Sequence, residues 1–282
     1  MDTPTQTLAS PLRTAASRSA ATRAGAALRG PHVRRVLFFA ALLASWEAVS
    51  RFGPWPDYVM PGPLQVGEAL LAGLRSGLFV RGTIASLLRL LTGYGISLAI
   101  GVVVGTLLVR HRALQDTVGA LLVGLQALPS VCWLPLAILW FGLNERAIVF
   151  VVIMGSLFSI ALGVQAGVAN TPPIFVKAAR NLGAGGLRLY THVVIPAALP
   201  TILAGLKQGW AFAWRSLMAA ELLYFSLSLG NLLQAGRDLN DVAQVMAVMV
   251  LIILVGVSFN QALFAPIERR IAERWGFGPG RN

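Results

Sequence analysis

Residues 177–196, KAARNLGAGGLRLYTHVVIP, decide how the rest of the chain is read. The stretch is polar and basic, with Lys177, Arg180, Arg188 and His192, and lies between two strongly apolar runs. An Ala178-Ala179 pair is followed by Gly183, a mixed run, and Val193-Val194-Ile195-Pro196. Gly183, with Gly185 and Gly186 behind it, is expected to stop a short helix and turn the chain. Pro196 and Pro200 are expected to open the next apolar helix, where a missing backbone donor costs least. The stretch is therefore a shaped connector between two buried segments.

Working outward, the chain has 282 residues, 56% hydrophobic and 12% charged, with a mean hydropathy of +0.71. Soluble domains carry about 25% charged residues. Half that share, in long apolar runs, indicates a polytopic all-α membrane protein. Six runs approach the roughly 20 residues a bilayer crossing needs: 36–52, 84–109, 114–143, 147–168, 197–223 and 242–264. Cys132, the only cysteine, allows no disulfide within the chain and no Cys-based metal site; apolar packing is expected of it.

A net charge of +12 could suggest nucleic acid, but the cations sort by side of the membrane instead. Fifteen of the 23 lie in residues 1–35, at Arg110 and Arg112, in 177–196 and near the C-terminus. Five lie on the other side, and Arg89, Lys207 and Arg215 fall within apolar runs. The bias predicts both termini and residues 177–196 in the cytoplasm. Residues 1–35, rich in Ala, Thr, Ser and Arg, have no apolar signal core and read as a disordered basic cytoplasmic tail, although a transit peptide shares that composition. Residues 276–282 form a second short tail. Between the first two runs, Pro54-Trp55-Pro56 and Pro61-Gly62-Pro63 break structure, and 64–78 is either a short interfacial helix or an irregular loop.

Several runs carry internal signals. Gly93, Ser97, Gly101 and Gly105 recur every four residues and form one row of small residues for helix packing. The third run contains Gln126, Pro129, Trp133, Pro135 and Trp140; its two prolines predict a kinked or interrupted helix. In the fifth, Lys207, Trp210, Trp214 and Glu221 share a helical stripe, with Gln208 and Arg215 on the adjacent row. Lys207 lies about 16 Å past Pro196, near the bilayer centre. A charge there costs about 2.5–3.5 kcal/mol on insertion scales, so it faces a wet path or a partner. One expectation is a cation-lined path for a small anion. The other is buried pairing among Lys207, Arg215, Glu221, Arg89 and Glu47; for Arg89, early in its run, pairing is favoured.

The spacing in 177–196 resembles the cytoplasmic coupling loop of the permease subunit of binding-protein-dependent ABC importers: EAA, three residues, Gly, nine residues, I-x-L-P. Lys177 stands where that family has Glu, so a charge contact with the ATPase would change sign. PSVCWLPLAILWFG, GLKQGWAFAWRSLMAAELL and the late Glu268-Arg269-Arg270 resemble the branch importing nitrate, bicarbonate, taurine and other sulfonates. The likeness covers the chain from about Val36 onward. It implies the type I importer permease fold over 36–275, with the coupling loop at 174–196. It also implies a cytoplasmic ATPase acting on Lys177, Ala178, Ala179, Gly183 and Pro196, an extracytoplasmic solute-binding protein and a second permease subunit. Location in the bacterial inner membrane follows, with no cofactor and no catalysis by this chain. Gln126, Trp133, Lys207, Gln208, Trp210, Trp214, Arg215 and Glu221 are the expected path residues, for an aliphatic sulfonate or taurine. The alternative is an ion-coupled secondary transporter of a small anion. It would be expected to have intramembrane acids, yet Glu221 is the only acid in the cores of the last five runs. A hydrolase is disfavoured by the absence of HExxH and GxSxG, and no P-loop is present.

Overall fold

The computed structural model describes residues 31–56 and 58–274, and these are almost wholly helical. The expected tails, 1–35 and 276–282, lie largely or wholly outside them. Two compact units divide the chain, Met1–Gln65 and Val66–Asn282.

In the first unit, α1 (Pro31–Phe52) is followed by the proline-rich segment. The Trp46 indole donates to the Pro61 carbonyl at 3.1 Å and the Ser50 hydroxyl to the Met60 carbonyl at 3.0 Å, which pins that segment to the helix end. Arg51 pairs with Glu47 one turn away. α2 (Pro63–Arg75) settles the open alternative over 64–78 in favour of a helix, which runs on into the second unit.

The second unit contains α3 (Leu78–Arg110), α4 (Arg112–Ala127), α5 (Ser130–Phe141), α6 (Glu145–Ala169), α7 (Pro173–Asn181), α8 (Gly186–Glu221), α9 (Leu229–Asp238) and α10 (Val242–Glu273). Among the described residues, α3, α6, α8 and α10 are each long and apolar enough to cross a membrane, and the bent pair α4–α5 makes a fifth candidate. The sequence leads to six. The difference is α1, which forms but carries Arg34, Arg35, Glu47 and Arg51 around a short apolar stretch.

α6 is the centre, gripped by α3 and α8. The row on α3 is the reason the first grip is close. A methyl on Gly93 would lie 2.6 Å from Val152, and one on Gly101 2.7 Å from Ile160. At the same row the Ser156 hydroxyl donates to Ser97 at 2.7 Å. The second grip is backbone on backbone: a Cβ on Gly163 would lie 2.6 Å from the Gly205 Cα. In lipid, where no hydrophobic effect drives helices together, such close approach supplies the association.

The third run is broken once. α4 and α5 meet at 102°. Pro129, extended at ψ 131°, makes the corner; Pro135 lies in the first turn of the following α-helix, where its missing donor breaks nothing. Cys132 is exposed beside this corner, so the expected packing role is corrected.

α8 is also longer than the sequence suggests. It begins at Gly186, not at Pro196, and runs 36 residues, about 54 Å. A π-turn at Tyr190–Val194 ends two residues before Pro196, where an α-helical ladder would lose a hydrogen bond.

Candidate functional site

Two regions concentrate the chemistry. The first is the segment joining α6 to α8. α7 ends in a Schellman cap: Gly183 N–H donates to the Arg180 carbonyl and Ala184 N–H to that of Ala179, both at 2.9 Å. Gly183 has φ +82°, as the sequence led us to expect, and nothing would lie within 4 Å of a Cβ placed there. Its requirement for glycine is therefore conformational and not steric.

Ala178 and Ala179 part company. Lys177 and Ala178 are exposed, whereas Ala179 is 8% exposed and packs with Leu189 and Val194 at the base of α8. The expectation that both alanines face an ATPase is corrected for Ala179: its small size lets α7 lie against α8. Ala178, Ala179, His192 and half-buried Pro196 line a cleft of about 310 Å³. Leu182 and Leu187, 88% and 79% exposed, project beside it. α7 is thus a separate helix packed onto the base of α8 through Ala179.

The second region is the fifth run, where the expected stripe is inverted. Trp210 is 4% exposed, stacked on Phe259 with ring centres 5.2 Å apart and edge-on to Tyr94. Trp214 is half-buried against Gly256. Lys207 Nζ donates to Glu268 Oε1 at 2.7 Å, a partner that the sequence reasoning did not include. Glu221 is wholly buried, as the pairing alternative has it, and does not line an open path. Trp210 and Glu221 are therefore interior side chains of this chain, not path-facing ones.

Glu221 sits in a closed set of partners. Ser86 donates to both its oxygens, at 2.9 and 2.7 Å, Arg89 to Oε1 at 3.1 Å, and the Gly230 N–H to Oε2 at 3.2 Å. Arg89 reaches on to Glu145 at 2.8 Å and to Ser226 at 2.7 Å. Arg89 is thus paired, as favoured for it, with Glu221 as one of the two acids.

The adjacent row is the open one. Gln208 and Arg215 are exposed. Arg215 lies over the Phe212 ring at 4.8 Å and, with Gln126, Pro129, Ser130, Met154 and Phe212, lines a cleft of about 260 Å³. Gln126 donates to Ser159 at 3.0 Å, which fixes its amide at the cleft edge. Trp133 instead packs between Phe150 and Phe158. The corner at Pro129 brings the end of α4 to the face of α8 that carries Arg215. Ser130, Phe212 and Met154 were missed by the sequence reasoning, and so was Glu268. The only signal for the last was its charge, opposite to that of Lys207.

A closely packed helical unit, a broken span and a stiff exposed connector are the parts of a membrane permease. Residues 97–273 match the family described as the binding-protein-dependent transport system inner membrane component, and the chain belongs to it. It is 27% identical over 237 residues to the taurine transport system permease protein TauC of Escherichia coli, covering 82% of this chain and 86% of that one. Over 232 residues it is 30% identical to the bicarbonate transport system permease protein CmpB of Synechococcus elongatus, covering 78% and 82%. Among solved structures, an amino acid ABC transporter with histidines matches 71% of this chain and 98% of its own, with a TM-score of 0.60 at 19% identity. The fold is that of a type I ABC-importer permease.

Proposed function

We propose that this chain forms the translocation path of an ABC importer for a small anion, and that the path runs along the exposed row of α8 at the Pro129 corner. The observation that carries this is Arg215, an exposed cation within a span, facing a cleft between a broken helix and α8. Irregular backbone at membrane depth is tolerated where it lines a cavity, and an intramembrane charge marks a path. Gln126 and Ser130 add neutral polar groups, while Phe212 and Met154 add apolar wall. One cation beside apolar surface suits an aliphatic sulfonate or taurine better than bicarbonate, which has no organic tail to bury. Relatives named for taurine and bicarbonate transport support the anion class.

The cleft is open on one side, so a second permease subunit, here a homodimer, closes it. A separate ATPase docks on Lys177, Ala178, Leu182 and Leu187, and a solute-binding protein delivers from outside. The chain itself makes and breaks no covalent bond. It resides in the bacterial inner membrane among lipids, with residues 1–35, the 174–196 loop and 276–282 cytoplasmic, 36–275 as the permease domain and α1 as a sixth span. The test is reconstitution of the permease with its ATPase and binding protein in liposomes. ATP-driven uptake of taurine or an alkanesulfonate is expected, and Arg215→Gln should lower uptake per assembled complex by about tenfold, the size of a lost charge-assisted hydrogen bond. Unchanged uptake in Arg215→Gln, or equal uptake of a cationic solute, would remove the assignment.

A further inference from the structure

The buried acid at the far end of α8 has no part in the path, yet it is tied to three other elements. Ser86 and Arg89 come from α3, Gly230 from the first turn of α9, and Glu145, through Arg89, from the start of α6. Ser86 also accepts from the Leu229 N–H at 2.9 Å. Both N–H groups at the start of α9 are thereby bound to one buried cluster, and the Ser228 hydroxyl accepts a third, from Asn231, at 3.1 Å. A helix start that is positive, aimed at a carboxylate it cannot share with water, is held far more firmly than by its connecting loop.

The rest of α9 is held by α10: the Gln244 amide donates to the Leu232 carbonyl at 3.1 Å, and a Cβ on Gly236 would lie 2.9 Å from Val245. The carboxylate is the last residue of α8, and α8 is the helix that begins in the α7 segment. The packing is equally close: a Cβ on Gly230 would lie within 2.8 Å of the Glu221 backbone carbon. The only chain link between the two helices is residues 222–228, which contain exposed Leu222, Leu223 and Phe225.

From this geometry we infer that Glu221 is the positioning residue that makes α9 move with α8, so that a tilt imposed at the α7 end reaches the opposite face of the membrane through the Ser86–Glu221–Gly230 contacts. Without the carboxylate, α8 tilts and α9 stays behind with α10, on which the rest of it packs. The inference rests on the proposed transport function, since it concerns how the stroke is delivered.

The experiment uses the complete complex with ATPase and binding protein in a Cys132→Ser background. Spin labels are placed at Leu199 on α8 and at Leu239, 74% exposed at the end of α9, in one subunit diluted with unlabelled permease. In the otherwise native protein the distance between these labels should be the same in the nucleotide-free and ATP-trapped states. A change between those states overturns the inference outright. In Glu221→Gln the distance should broaden and become state-dependent, and solute moved per ATP hydrolysed should fall about five-fold. ATPase stimulation by the binding protein should persist, because the α7 end is untouched. If Glu221→Gln does not assemble, Ser86→Ala removes only the hydroxyl bridging Glu221 and Leu229 and should give the same effects in smaller measure. Native-like distance and coupling in the assembled variants show that Glu221 only stabilises the fold. Absence of ATP-driven uptake by the native complex counts against the transport function itself, not against the coupling of the helices.

Discussion

Lys207 and Glu268 meet at 2.7 Å, joining the middle of α8 to the last helical stretch of α10. Both side chains are partly open, 38% and 43% exposed. A pair in that setting contributes about 0.2–1 kcal/mol. Lys207→Met should therefore lower thermal stability modestly and leave uptake per assembled complex unchanged. Glu268→Gln should do the same, and the double variant should lose little more than either single one. Detergent melting curves combined with reconstituted uptake check this. A large loss of uptake in Lys207→Met with normal stability would return Lys207 to the path.

The Gly163–Gly205 contact makes a stronger demand. A Cβ on either residue meets backbone, which cannot rotate away. Gly163→Val should separate α6 from α8, lowering stability by about 1–3 kcal/mol or more. Gly95→Val on α3, where nothing lies within 4 Å of the Cβ position, is the matched control and should be close to neutral. The measurement is the yield of folded protein by size exclusion after extraction, compared between the two variants.

The cation bias predicts the sidedness of the spans. Single cysteines at Leu143 and Leu187, 61% and 79% exposed, sit at opposite ends of the spans. With Cys132 replaced by Ser, a membrane-impermeant maleimide added to intact cells should label Leu143→Cys and not Leu187→Cys. Labelling of Leu187→Cys from outside would reverse the proposed orientation and remove the coupling role.

Much of the fold was legible because its signals are local. The row Gly93, Ser97, Gly101, Gly105 repeats every four residues, and it packs as read. Gly183 is followed by two more glycines, and its positive φ is there. The direction in which the fifth run faces was not legible. Periodicity places Lys207, Trp210, Trp214 and Glu221 on one face but does not say whether that face meets a path or the chain's own core. Partners far away in sequence decide it: Tyr94 and Phe259 for Trp210, Ser86 and Arg89 for Glu221. The π-turn before Pro196 was equally hidden, because proline reads as a helix start while the structure carries the helix through it. Among the prolines of the third run, only the surroundings distinguish the corner at Pro129 from the harmless Pro135.

Ala178 and Ala179 give the sharpest test of the connector. They are adjacent and equally small but differ in burial: Ala178 is exposed, and Ala179 packs against Leu189 and Val194. Replacing each by Phe therefore separates docking from folding of the loop itself. Ala178→Phe should leave the permease stable alone but weaken its assembly with the ATPase, since it adds bulk only to the outer face. Ala179→Phe should overfill the small cluster under α7, with a loss of about 1–3 kcal/mol, and should loosen α7 before any ATPase is present. Limited proteolysis of the isolated permease reads this difference directly. Cleavage within 174–196 should accelerate in Ala179→Phe and remain at the native rate in Ala178→Phe, while co-purification of the ATPase should fall in both. Equal proteolysis of the two variants would mean that α7 does not present one face inward, and the lever formed with α8 would lose its rigid attachment.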